Sequence, residues 1–412
     1  MVELLLLILV ATVLARLGGE LMERVGQLAL LGEILAGVLL GAFITYGFPQ
    51  FVEPVHAEAF HAVSSLGMFF LMLMAGMEID AKELAKVSKK GALVAVGGVL
   101  IPMGLGYLLG QLLIPESEYR FVQSFLLGVV LSITAVPALT RVLGELGQLD
   151  TKLGNVIINA AVIDDVLALF LLAILTPMIS GGGLPSAGEL SLLAAKVVGF
   201  FGVAIITGKF LMPLIGRLSL KSRYVEIEFS VALIIALTFG IGAEYAGMHF
   251  IIGALVAGLF LQENTFGENY KALENKISGV TLGFLAPIFF VSIGLNVDLS
   301  ALGTAPLFVI TLIAVAIVGK LLGCGIPAKL SGFSIRESLA IGIGMNGRGA
   351  VEIIVATIAL NSGIFSKPEP TPTLVSALFS SIVIMAVVTT VIVPLGMKPL
   401  LRGSSTVKPL SD

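Results

Sequence analysis

Residues 155–175 read Asn155-Val-Ile-Ile-Asn159-Ala-Ala-Val-Ile-Asp164-Asp165-Val-Leu-Ala-Leu-Phe-Leu-Leu-Ala-Ile-Leu175, two adjacent acids inside an apolar run. A run of about 20 such residues is what a helix needs to cross a bilayer. A carboxylate at mid-bilayer costs several kcal/mol, so it persists where a function uses it. Two side by side resist ionising together, a property that suits a site binding either a cation or protons.

The rest of the chain supports the bilayer reading. Hydrophobic residues make up 57% and charged residues 12% of 412, far from the roughly 25% charged of a soluble domain. The single Cys324 excludes an intramolecular disulfide and fits no metal-ligand spacing. Met1–Leu14 is apolar, but it lacks a basic start and runs into Arg16 and Glu20, so no cleavable signal is expected. The net charge of −3 says little, because placement matters more than the sum.

Scanning for long apolar stretches predicts an all-α integral membrane protein of about thirteen transmembrane helices. The segments are 3–22, 28–47, 61–79, 91–114, 121–142, 153–178, 189–216, 225–245, 248–262, 279–296, 304–329, 337–361 and 373–397. Turn signals separate them at Gly47-Phe48-Pro49, Gly181-Gly182-Gly183 and Pro368, Pro370, Pro372. No linker suggests a second domain. Seventeen basic residues, from Arg24 and the Lys82–Lys90 group to Lys398 and Lys408, fall on one side of this arrangement. Only Arg120 and Lys367 fall on the other, which places the N-terminus outside and the C-terminus in the cytoplasm. Arg16, Lys196, Lys209, Lys320 and Arg348 lie inside apolar runs.

Two segments carry helix-breaking signals. The fifth contains Ser132-Ile133-Thr134-Ala135-Val136-Pro137, where proline removes a backbone donor and disfavours helix just before it. The twelfth contains Gly342-Ile343-Gly344-Met345-Asn346-Gly347-Arg348-Gly349. The two are seven segments apart, so they run in opposite directions. Segments 1–6 and 8–13 then read as inverted repeats with segment 7 between them, the pattern of a secondary transporter with a midplane site. The competing reading of the glycines is close helix packing alone.

Twelve residues of helix from Lys152 put Asp164 roughly 18 Å into the membrane, at the depth of both breaks. Asp164 and Asp165 point about 100° apart on a helix, so they serve different roles. Lys320, buried in the eleventh segment, is the natural partner of one of them. A purely structural Asp–Lys bridge would explain Lys320 and strand the second acid. Arg348 is predicted to pair with Glu352 at i, i+4, or to reach Glu78 or Asp80, in a structural role at the twelfth segment's break. Glu33, Lys196 and Lys209 read as interfacial side chains. Histidine is the residue type suited to pH sensing, but solvated side chains are the simpler reading of His56, His61 and His249.

The motif Asn159-Ala-Ala-Val-Ile-Asp164-Asp165 resembles the paired aspartates of bacterial electrogenic sodium/proton antiporters, within the monovalent cation:proton antiporter superfamily. Gly32–Gly37, Phe70–Asp80, Thr134–Pro137, Pro287–Leu295 and Asn346–Gly349 also resemble that superfamily, including its Kef-type relatives, in the expected order. The resemblance implies that Asp165 carries the cation or proton and that Asp164 forms a breakable bridge with Lys320. It implies that Thr134 helps bind sodium, alongside Asp165 and carbonyls freed at the fifth segment's break. Some members have an acid directly after that threonine where this chain has Ala135, so Ser132, Asn159, carbonyls or water complete the shell. The family's architecture implies one membrane domain with an ion-transport core, about 61–178 and 304–397. Its dimerisation scaffold would be about 1–47 and 189–262. The expected activity is exchange of sodium or lithium for protons by elevator-type alternating access in a homodimer, with two protons per cation and no cofactor. Alternatives are a potassium/proton or Kef-like efflux system and, further off, an organic-anion transporter. No enzyme constellation and no nucleic-acid partner is expected.

Overall fold

The computed structural model describes residues 2–47, 58–79, 88–149, 151–181, 187–219 and 226–401, and every regular element among them is helical. In chain order the elements that matter begin with α1 (Val2–Arg24), α2 (Ala29–Gly47), α3 (Glu58–Glu78) and α4 (Lys89–Leu113). The fifth segment is split into α5 (Arg120–Ser132) and α6 (Val136–Glu145). Then come α7 (Lys152–Gly181), α8 (Ala187–Phe210), α9 (Met212–Ser219), α10 (Ile227–Tyr245) and α11 (Phe250–Phe260). A long helix α12 (Tyr270–Leu295) contains one π-helical turn, Thr281–Leu285. The chain ends with α13 (Pro306–Leu330), the split pair α14 (Ile335–Gly344) and α15 (Ala350–Asn361), and α16 (Leu378–Leu401).

Among the described residues, eight helices are long and apolar enough to cross a bilayer: α1, α3, α4, α7, α10, α12, α13 and α16. Four shorter apolar helices, in α2, α5, α11 and α15, fall below that length. The protein is therefore a multi-pass membrane protein. The largest boundary difference concerns α12, which begins at Tyr270 and not at 279. Its first turns are too polar for an apolar scan to register, yet Leu273 and Ile277 bury one face and carry the helix on.

The chain divides into two compact units, Met1–Ala81 with Ser186–Val297, and Lys82–Pro185 with Asp298–Asp412. In the first unit, close approach is set by paired glycines. Gly37 and Gly294 each bring their backbone against the other's helix, so that a Cβ at either would strike Val291 O or Ile34 O. Gly76 and Gly258 do the same for α3 and α11. Small residues at such crossings let helices pack where lipid provides no hydrophobic drive. This contact groups residues 58–79 with the first unit, because α3 docks on α11. Arg16 donates to Leu282 O and Gly283 O, carbonyls of the π turn, and Arg16 lies 4.0 Å from Glu33.

In the second unit, a buried apolar cluster joins α4, α6, α7, α13, α14 and α16 through Val94, Leu143, Ile157, Cys324, Ile341 and Met397. The ionisable groups of interest sit beside this cluster, on helices that it fixes in place.

Candidate functional site

The site is built on the two breaks. α5 stops at Ser132 because Ile133 and Ala135 adopt extended backbone, and Pro137 falls in the first turn of α6, where its missing N–H is not needed. α14 stops at Gly344, and Gly349 is extended before α15 begins. The two extended stretches cross. Ala135 N–H donates to Gly347 O at 2.8 Å, and the Thr134 hydroxyl donates to Met345 O at 3.0 Å. Only glycine fits at 349, since a Cβ there would lie 2.5 Å from that of Ala135.

A helix end inside a membrane leaves carbonyls bare and concentrates negative potential there. At the end of α5, two buried cations cover four consecutive carbonyls. The Arg348 guanidinium donates to Val130 O and Leu131 O, each at 3.0 Å, and to Ile133 O. The Lys320 ammonium donates to Ser132 O. Arg348 is itself fastened at its backbone, where its N–H donates to the Thr390 hydroxyl oxygen at 2.9 Å. It pairs with Glu352 at 3.4 Å, the i, i+4 partner expected. The sequence had suggested these carbonyls as cation ligands. The structure assigns them to Arg348 and Lys320.

Lys320, wholly buried, also reaches Asp164 Oδ2 at 3.3 Å. Asp164 is 1% exposed, and its second oxygen, Oδ1, has no hydrogen-bond partner among the described residues. The Thr134 side chain approaches the same carboxylate. Asp165 is half-buried on the next position of α7, turned about 100° from Asp164. Asp164, Lys320, Thr134 and the backbone of Ser132 therefore form one cluster.

The other expected ligands are engaged locally. The Ser132 hydroxyl donates to Val129 O at 2.7 Å, and the Asn159 amide donates to Asn155 Oδ1 at 2.8 Å. Asn159 also lies more than a turn nearer the Lys152 end of α7 than Asp164. Glu78 is the exposed last residue of α3, and Asp80 lies outside the described residues, as do His56, Lys82, Lys221, Arg223 and Lys408. His61 is exposed, and His249 caps α11 with its ring 4.5 Å from that of Phe250. Lys196 and Lys209 are exposed. Thr390 was missed in the sequence, where a threonine in an apolar segment carries no signal of a partner 42 positions away.

Residues 7–403 match the family model described as sodium/hydrogen exchanger, transmembrane. The chain belongs to that family. Members of the family are transporters, not enzymes, and need no cofactor beyond the ions they move. The chain is 33% identical to the Na(+)/H(+)-K(+) antiporter GerN of Bacillus cereus, over 94% of this chain and 93% of that protein. It is 31% identical to a Na(+)/H(+) antiporter of Enterococcus hirae, over 93% and 95% respectively. Its fold resembles that of the sodium proton antiporter MjNhaP1 from Methanocaldococcus jannaschii, with a TM-score of 0.71 over all of both chains at 17% identity.

Proposed function

We propose that this protein exchanges sodium or lithium for protons across a cell membrane, with Asp165 as the carrier. The observation that supports this reading best is the buried Asp164–Lys320 pair with half-buried Asp165 beside it, at the crossing of two broken helices. A hard monovalent cation takes oxygen ligands. Asp165 supplies a charged one, and Thr134 supplies a neutral one, because its proton is spent on Met345 O and its lone pairs are not. Ser132 O becomes a further ligand when Lys320 withdraws from it. A proton and a cation then compete for one carboxylate, and only a loaded carrier reorients, so the outcome is exchange.

The Lys320 bridge makes the cycle electrogenic in this proposal. When it opens, Asp164 takes a second proton, and two protons move against one cation. The reversal potential of reconstituted protein is the test: a value fitting two protons per cation is expected, and one fitting electroneutral exchange removes the second proton. The same liposomes, assayed by pH-gradient dequenching with sodium, lithium and potassium, decide the cargo. Potassium/proton exchange is the second reading, favoured by the likeness to GerN, whose name includes K(+).

Thirteen crossings in inverted repeats, an outside N-terminus, a cytoplasmic C-terminus and a homodimer complete the proposal. The second unit holds every member of the site, which supports its role as the moving element, with the first unit as scaffold. Replacing Lys320 with Ala would leave Asp164 without its cation and Ser132 O without its donor. We expect a loss of about 3 kcal/mol, reduced as Asp164 protonates, and an activity profile displaced to higher pH. Unchanged stability and pH profile would sink the bridge.

A further inference from the structure

One buried ionisable group has no part in that scheme. Glu352 lies one helical turn past Arg348 on α15, is 0% exposed, and approaches Arg348 Nε only to 3.4 Å. Neither carboxylate oxygen accepts a hydrogen bond among the described residues. A buried carboxylate so thinly compensated is costly, and an apolar residue of similar volume would occupy the position at lower energy.

The charged groups around it come from two helices and the break. Arg348 lies in the break just before α15, Lys320 of α13 is within electrostatic reach, and α7, which packs on α15, carries Asp164 and Asp165. Two further helices, α5 and α16, also pack on α15, and their only charges, Arg120 and Lys398, lie at or near their ends. Asp164 and Glu352 thus face Lys320 and Arg348, with Asp165 at the next position of α7. With all five ionised, the group carries one net negative charge, and one monovalent cation brings it to zero. Without Glu352 the empty group would be neutral, and a bound cation would leave an uncompensated positive charge where the dielectric is low.

We propose that Glu352 is a positioning residue for exchange, whose carboxylate supplies the negative charge that lets the aspartate pair accept a cation while Lys320 and Arg348 stay charged. It acts through Arg348 and the field at the site, not by ligation. The inference rests on cation/proton exchange at Asp164 and Asp165.

The test compares wild type, Glu352→Gln, Glu352→Asp and Glu352→Met in proteoliposomes over a range of pH and sodium concentrations. Loss of one charge about 10 Å away at an effective dielectric near 20 changes an affinity by roughly tenfold. Glu352→Gln should therefore raise the sodium KM at alkaline pH by about that factor and keep its maximal rate. Its activity profile should move to lower pH, because protons leave a less negative site more readily. Glu352→Asp should stay near wild type. Glu352→Met removes the same charge without an unpaired amide, and serves if Glu352→Gln does not fold. Sodium-induced thermal shifts in detergent give the affinity independently of transport. A folded Gln or Met variant with wild-type KM and pH profile overturns the proposal, even if its melting temperature falls. A wild type that moves none of the three cations would instead overturn the exchange reading itself.

Discussion

Asp165→Asn is expected to reduce cation-dependent proton flux to the level of protein-free liposomes. The amide is nearly the same size as the carboxylate, so the half-buried position on α7 is filled as before. What disappears is the chemistry: the amide has no proton to exchange and no charge to hold a cation. Stability should change little, and the apparent melting temperature should stay close to that of wild type, which separates a lost carrier from a lost fold. Sodium-induced thermal stabilisation should vanish with the flux. Retained exchange in this variant would move the carrier role to Asp164, and the bridge to Lys320 would then need a different purpose.

The largest structural effect is expected at Arg348. This side chain is 1% exposed and holds Val130 O, Leu131 O and Ile133 O at the end of α5, while pairing with Glu352. Arg348→Ala leaves three carbonyls bare and one carboxylate without its cation. Removing one partner of a buried pair costs about 3–5 kcal/mol. In a chain of 412 residues that lowers the apparent melting temperature by about 3–6 °C. Arg348→Lys should recover only part of the loss, because an ammonium is a point donor and lacks the planar fork that spans several carbonyls. Unfolding of detergent-solubilised variants followed by intrinsic fluorescence or scattering is the measurement. Melting within a degree or two of wild type would mean that the break is held by its own backbone contacts, Ala135 N–H to Gly347 O and Thr134 to Met345 O.

Much of this was legible in the chain. Asp164 and Asp165 announce themselves because a charge in an apolar run is costly wherever the run lies. Pro137 and the glycines from 342 to 349 mark the two breaks because both residue types act on the local backbone. Lys320 and the i, i+4 spacing of Arg348 and Glu352 were readable for the same reason. Other features were not. Polarity does not say where the protons of Ser132 and Asn159 go, which is to Val129 O and Asn155 Oδ1. The carbonyls at the end of α5 looked available, and Arg348 and Lys320 hold them. The docking of α3 on α11 was not readable, because it is written in glycines far apart in sequence.

The sequence by itself determined the solvent, the breaks and the identity of the charged groups. Hydropathy, proline and buried charge are properties of a residue and its immediate neighbours. The tertiary structure alone decided which polar atoms are already partnered. It set Lys320 against Asp164 and Ser132 O, turned Arg348 onto α5, and gave Glu352 a cation at 3.4 Å and no hydrogen-bond donor among the described residues. Hydrogen bonds and ion pairs join groups up to 267 positions apart, and no local pattern encodes which groups meet.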